Sequence, residues 1–200
     1  MKLKDIVDAV QHGIDLLKGE QTEDRVFRSE HTHSEERLAR ETLAQAKERL
    51  FAVDRWSDVS SLSASFLLHD SAGNPKPGSP PAVGDYIKIV LPGAHLENWV
   101  NVTEVINDEN LAQFTARPCA DPHEKGQQTD HFFTNESTST FRVELRGNTV
   151  WGSQIGKNER ANNQEQSGDR AVINTVVAGS GWLFYQKIQW KTLTDYFVGL

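Results

Sequence analysis

The sequence predicts an α+β fold: a curved antiparallel sheet of about six or seven strands gripping a long C-terminal helix, with an added N-terminal helix. Three observations predict it. Residues 182–200 (WLFYQKIQWKTLTDYFVGL) place Leu183, Trp190, Leu193 and Phe197 in one row, with Trp182, Ile188 and Tyr196 beside it. Those spacings are the period of a helix with one buried stripe, here broad and aromatic. Upstream, residues 62–178 read as short alternating segments separated by turns. The turns are of hairpin length, which implies antiparallel pairing, because parallel strands need crossovers of about a dozen residues or more.

The elements follow in order. Leu3, Ile6, Val7, Val10, Ile14 and Leu17 share one face of a first helix that Gly19 ends. Residues 1–24 are read as this helix and a linker, and 25–200 as the main domain. The stripe suits packing on the body of the protein or on a second copy, so a homodimer is one expected assembly. Gln21–Arg28 is polar apart from Val26 and Phe27 and reads as a linker or a short first strand. Thr32 and Glu35 have capping-box spacing, which predicts a helix starting near Thr32. Its stripe is Ala39, Leu43, Ala46, Leu50 and Val53, and it runs out near Asp54, before Trp56.

Leu62, Ala64, Phe66 and Leu68 alternate as a strand. Asp70–Gly84 holds four prolines and three glycines, so it is a long loop. Strands follow at Ile87–Leu91, Trp99–Ile106 and Leu111–Arg117, the last two joined by the turn Asn107–Asn110. Pro118–Asp130 is a second polar loop. Phe141, Val143 and Leu145 alternate with charged residues, and Gly147-Asn148 turns the chain into a partner at Thr149–Ile155. Gly156–Asp169 is a third polar loop, Arg170–Ala178 a last strand, and Ser180 a cap for the terminal helix.

Bulk properties narrow the function classes. The chain is 37% hydrophobic and 24% charged, a globular composition, with a net charge of −7. Its basic residues do not cluster, which argues against nucleic acid, whose phosphates need concentrated Lys and Arg. No run approaches the roughly 20 apolar residues of a membrane span. Asp5, Asp8 and Asp15 break the N-terminal apolar positions, so no signal peptide is read there. With one cysteine, Cys119, and thus no internal disulfide, a cytoplasmic setting is the simplest expectation.

The chemistry-bearing residues form few constellations. Asp130-His131 precedes Phe132-Phe133, a carboxylate and an imidazole beside apolar bulk after a polar loop, which suits a general base at a pocket mouth. Asp121 and His123 lie near enough in sequence to join them. The plainer reading is core aromatics beside a surface histidine. His31-x-His33 puts two imidazoles on one face, half of a metal site at most, because zinc takes three or four ligands; no metal is expected. Cys119 reads as a small buried thiol, not a nucleophile. Asn158-Glu159-Arg160 with Asn162-Asn163 reads as a solvated loop. Neither the Walker spacing nor a G-x-S-x-G elbow is present, and no cofactor is expected.

Several short stretches carry a family resemblance. Leu50–Trp56 (LFAVDRW) ends a helix before a tryptophan. Pro81–Ile89 (PAVGDYIKI) is a glycine-led strand, followed by Trp99–Ile106 (WVNVTEVI), and Gly181-Trp182 opens the terminal helix. Together with the element order, these resemble the START-like (SRPBCC, helix-grip, polyketide-cyclase-like) superfamily over residues 25–200. A cystatin-like or NTF2-like cone is the alternative, which the two N-terminal helices fit, but such cones usually end in strands. The resemblance implies a hydrophobic cavity between sheet and terminal helix for a small apolar or amphipathic molecule. Strand alternation nominates Trp99, Phe141, Trp151 and Trp190 as its walls, in a register where one step flips the face. Some members are enzymes, so a cyclase or hydratase using Asp130 and His131 is the rival reading. Self-association through the N-terminal helix is the third.

Overall fold

The computed structural model describes residues 23–59, 64–90, 97–124, 136–159 and 181–200. Among these residues, seven antiparallel strands form one sheet: β1 (Glu23–Thr32), β2 (Ser65–His69), β3 (Tyr86–Val90), β4 (Glu97–Asp108), β5 (Leu111–Cys119), β6 (Thr138–Arg146) and β7 (Thr149–Glu159). Their order is β1-β7-β6-β5-β4-β3-β2. Helix α1 (Glu36–Phe51) and a 3-10 segment (Val53–Asp58) separate β1 from β2, and helix α2 (Gly181–Val198) comes last. The expected helix at 3–17 and the expected strand at 170–178 lie outside the described residues. β1 begins in the stretch read as a linker or short first strand.

Antiparallel partners share a face of the sheet, so register assigns the inner side. Gly152 marks it: a Cβ there would stand 2.8 Å from the carbonyl oxygen of Thr194 and 3.2 Å from Phe197 in α2. Only a residue without a side chain lets the helix lie this close to β7. From Gly152 the inner row runs through Val143 and Ala112; one pair along, Gln154, Phe141 and Phe114 follow. A bulge between Val102 and Glu104 resets the phase of β4, and Val102, Val100, Ile87 and Leu68 continue the inner face to the far edge.

The core sits on that face. Trp56 is its centre, 1% exposed, with Phe141, Phe197, Phe66 and Phe114 at ring-centroid distances of 4.9, 5.4, 5.5 and 5.8 Å. Its indole N–H is not sacrificed, for it donates to the Arg49 carbonyl at 2.9 Å. Fully burying each of these rings contributes roughly 1.5–3 kcal/mol. The 3-10 segment holds Trp56 there by bonding β2. The Asp54 carboxylate accepts the Leu68 amide at 2.9 Å, and Ser57 Oγ accepts the Phe66 amide at 2.9 Å.

Helix α1 buries the expected stripe Ala39, Leu43, Ala46 and Leu50. Its start departs from the expected one. Glu35 is the N-cap, with no side-chain cap bond, and Thr32 belongs to β1. The Thr32 hydroxyl pairs with that of Thr149 at 2.8 Å across the strands instead of capping the helix. The helix also stops at Phe51, short of Asp54, as the chain tightens into the 3-10 turn. Opposite charges four apart, Glu36–Arg40 and Arg37–Glu41, line its solvent side.

Helix α2 buries Leu193, Phe197 and Val198, with Trp190 and Tyr196 packed at the margin. Two cationic or donor side chains meet the carbonyls at its end. His31 Nδ1–H donates to Val198 O at 3.0 Å, and Arg49 reaches Phe197 O at 3.4 Å while stacking over Tyr196. Both placements suit the negative end of a helix dipole.

Candidate functional site

Three strands bring Phe27, Gln154 and Phe141 side by side on the inner face, since Gln154 is the register partner of both aromatics. Phe141 meets Trp190 of α2 edge-on at 5.6 Å. Gln154 is 0% exposed. Its Nε2 makes one long bond to Ser139 Oγ at 3.4 Å, and its Oε1 has no partner. Whichever way the carboxamide is turned, Ser139 satisfies only one end. An unmet buried amide group costs roughly 1–3 kcal/mol, so its retention here calls for a reason.

The next inner position along β7 is Gly156. Asn158 has φ 52°, and this left-handed residue folds the strand end back. The carboxylate of Glu159 comes to rest over Gly156, where any Cβ would collide with it. Glu159 is 5% exposed and 3.9 Å from Arg25 of β1. The Asn158 amide donates to Asp24 at 3.0 Å and its carbonyl accepts from Ser137 at 2.8 Å, which fixes the bend. Polar and aromatic groups therefore adjoin on one stretch of the inner face: Phe27, Phe141 and Trp190, then Gln154 and Ser139, then Arg25 and Glu159.

The sequence-nominated residues separate. Phe141 and Trp190 are in contact. Trp99 and Trp151 do not join them, because each neighbours an inner-face residue in its strand and so stands on the outer face. Trp151 lies there under the Arg28 guanidinium at 5.2 Å, opposite Glu30 and Glu144. Trp99 lies between His69 and His123, at 4.8 and 5.7 Å. Asp130 and His131 lie outside the described residues. Asp121 and His123 are on the outer-face side, beside Trp99.

His31 and His33 stack at 4.2 Å, and His33 Nε2 is buried without a partner. Among the described residues, no group of three or more His, Cys, Asp or Glu is placed to hold a metal. The Cys119 thiol is pushed up to about 12 by burial and by the Asp121 carboxylate, the reverse of an activated nucleophile. Apart from the inner face, a surface cleft of about 800 Å³ opens between the 3-10 segment and the last turns of α2, lined by Arg55, Asp58, Thr192, Asp195 and Tyr196. No helix among the described residues is long and apolar enough to cross a membrane.

Sequence reasoning missed Gln154 and Glu159. Gln154 alternates with inner-facing Gly152, so a correct register would have exposed it. Glu159 was read into a solvated loop because no pattern announces a one-residue left-handed bend.

No family model matches the chain, and no curated protein matches it. Solved structures do match in fold. A hypothetical protein from Helicobacter pylori aligns over 92% of this chain and 92% of its own, with a TM-score of 0.50 and 11% identity. Ginseng major latex-like protein 151 from Panax ginseng aligns over 84% and 95%, with a TM-score of 0.40 and 11% identity. Norcoclaurine synthase from Thalictrum flavum, solved with dopamine and hydroxybenzaldehyde, aligns over 92% of each chain, with a TM-score of 0.41 and 10% identity. Identities this low speak to fold alone. With seven antiparallel strands in the order β1-β7-β6-β5-β4-β3-β2 closed on a C-terminal helix, the described residues have the helix-grip fold.

Proposed function

We propose that the protein binds a small, largely apolar molecule between the sheet and α2, and that Gln154 receives the one polar group of that molecule. The supporting observation is the buried carboxamide of Gln154, flanked by Phe27 and Phe141 and left with one end unmet. A ligand hydroxyl or amine would supply the missing donor, and Phe141 and Trp190 would hold its ring or chain by contact. The ligand class is therefore an amphipathic molecule with one donor: a sterol, a hydroxylated fatty acid or a phenolic polyketide. Nothing in this reading needs a reaction, and holding such a molecule is a sufficient role for the site.

Tryptophan fluorescence tests it, because Trp190 adjoins the site. Wild type and Gln154→Leu are titrated with matched pairs of ligands, hydroxylated and not. The hydroxylated members should lose about tenfold or more in affinity for the variant, the worth of one buried hydrogen bond, while the others hold or gain. Quenching by no member of the panel, or equal effects on both members of each pair, overturns the proposal.

A further inference from the structure

On the outer face, two separate loops meet at one histidine. His123 Nδ1 lies 2.8 Å from Asp121 Oδ1, and His123 Nε2 lies 2.9 Å from the carbonyl oxygen of Gly73. A carboxylate and a carbonyl only accept, so the ring must donate from both nitrogens to make both bonds. Only imidazolium can do that. The seat is built for the contact: Gly73 has φ +85°, and a Cβ on it would stand 3.0 Å from His123 Nε2 and 3.3 Å from Pro122. The same residues roof Trp99, whose ring meets His123 at 5.7 Å.

We propose that His123 is a protonation-dependent clamp that ties the Asp70–Lys76 loop to the segment following β5 across the outer face of the sheet. With both protons the clamp is closed. When the ring gives up one proton, it can no longer donate both bonds. The proton facing Asp121 is kept, because a hydrogen bond to a carboxylate is the stronger of the two. The Nε2 proton goes, its lone pair then faces the Gly73 carbonyl, and the Asp70–Lys76 loop is released while the Asp121 contact stays.

The surroundings agree with this direction. Partial burial raises the Asp121 carboxyl, but the His123 backbone amide and ring outweigh it and hold the group below its ordinary range. What Asp121 contributes is thus present above the unfolded carboxylate value and lost only as pH falls through the lower folded value. Among the described residues, the other charged or titratable groups around the clamp are these. Lys88 also acts on Asp121, helping to hold its carboxyl low, while it lies over Trp99 at 5.8 Å and pairs with Glu97. The His69 Nδ1–H donates to Leu67 O at 3.1 Å. Asp70 accepts the amides of Ala72 and Asn74 within its own loop. Arg117 and Glu124 are exposed, and Cys119 stays a neutral thiol.

Nitrogen-15 NMR of the whole protein across pH 5 to 9 tests the clamp. Expected are two protonated ring nitrogens on His123 at low pH and the Nδ1–H tautomer at high pH. The Gly73 amide and Trp99 indole signals should shift with the same midpoint. In His123→Gln, whose amide can still donate to Gly73 but cannot titrate, those shifts should vanish. In Asp121→Asn, the neutral ring is free to keep its Nε2 proton, so the response at Gly73 should shrink. An Nε2–H tautomer in the wild type at high pH, or a titrating His123 with Gly73 unmoved, overturns the proposal.

Discussion

Two stretches of the same inner face are built to different rules. Around Trp56 four phenylalanine rings pack, the one polar atom is bonded to the Arg49 carbonyl, and exposure is 1%. One strand pair away, Gln154 is at least as deeply buried, yet its carboxamide is left half-satisfied between Phe27 and Phe141. Phe141 belongs to both: one side of its surroundings is Trp56, the other Trp190. The difference teaches that burial alone does not mark a core. The Trp56 end closes the grip and contributes stability. The Gln154 end gives some stability up.

The largest test of that contrast is Trp56→Ala. It should cost about 3–5 kcal/mol in urea unfolding, through lost contacts and a cavity the four surrounding phenylalanines cannot all fill. A cost under about 1 kcal/mol would mean the closed end is not closed. Gly152→Val comes next. Its side chain has no place against Thr194 and Phe197, so α2 must shift, at about 1–3 kcal/mol by the same measurement. Gln154→Leu should be different in kind. Without ligand its stability should stay within about 1 kcal/mol of wild type or rise, because an unmet polar group is exchanged for an apolar one of similar size. A loss like that of Trp56→Ala would erase the distinction between the two ends. A last test, of reactivity instead of stability, falls on Cys119 on the outer face. With its thiol at about 12 against an ordinary 9.0, alkylation at neutral pH should be roughly a thousandfold slower than for a free cysteine, and should recover on unfolding. Brisk alkylation of the native protein would show the outer-face cover to be open.

Much of the fold was legible because periodicity reports burial directly. Phe141 and Val143 alternate onto the core, Ala39, Leu43, Ala46 and Leu50 follow the helical period, and both kept the positions expected of them. Edge and end effects were not legible. β1 hides its strand character because its inner face carries Ser29 and His31, which serve α2 by hydrogen bonding instead of apolar contact. Thr32 has the chemistry of a cap, but a neighbouring strand competes for its hydroxyl, and no local pattern announces Thr149. The two outward tryptophans failed for another reason. Side chains alternate with period two, so a register uncertain by one step is uncertain by the whole thickness of the sheet. Trp99 and Trp151 are large and apolar on either side, and only pairing decides which. The polar half of the candidate site was the least visible, since buried Gln154 and Glu159 look like surface residues until the chain is folded around them.

The bond between Ser29 and Thr194, 2.7 Å long, joins positions 165 residues apart in sequence. A nascent chain extends at roughly 5–20 residues per second, so β1 leaves the ribosome well before its counterpart in α2 exists. β1 also waits for β7, its pairing partner, which is made almost as late. During that interval the hairpins from β3 to β7 can assemble from neighbours, but the face that α2 will cover stays open to water and to other chains. Long-range closure of this kind slows folding, because the entropy of bringing distant segments together is spent before their contacts reward it. The final helix is thus the step that commits the protein: until it docks against Gly152, the inner face of the sheet is uncovered and a candidate for chaperone capture.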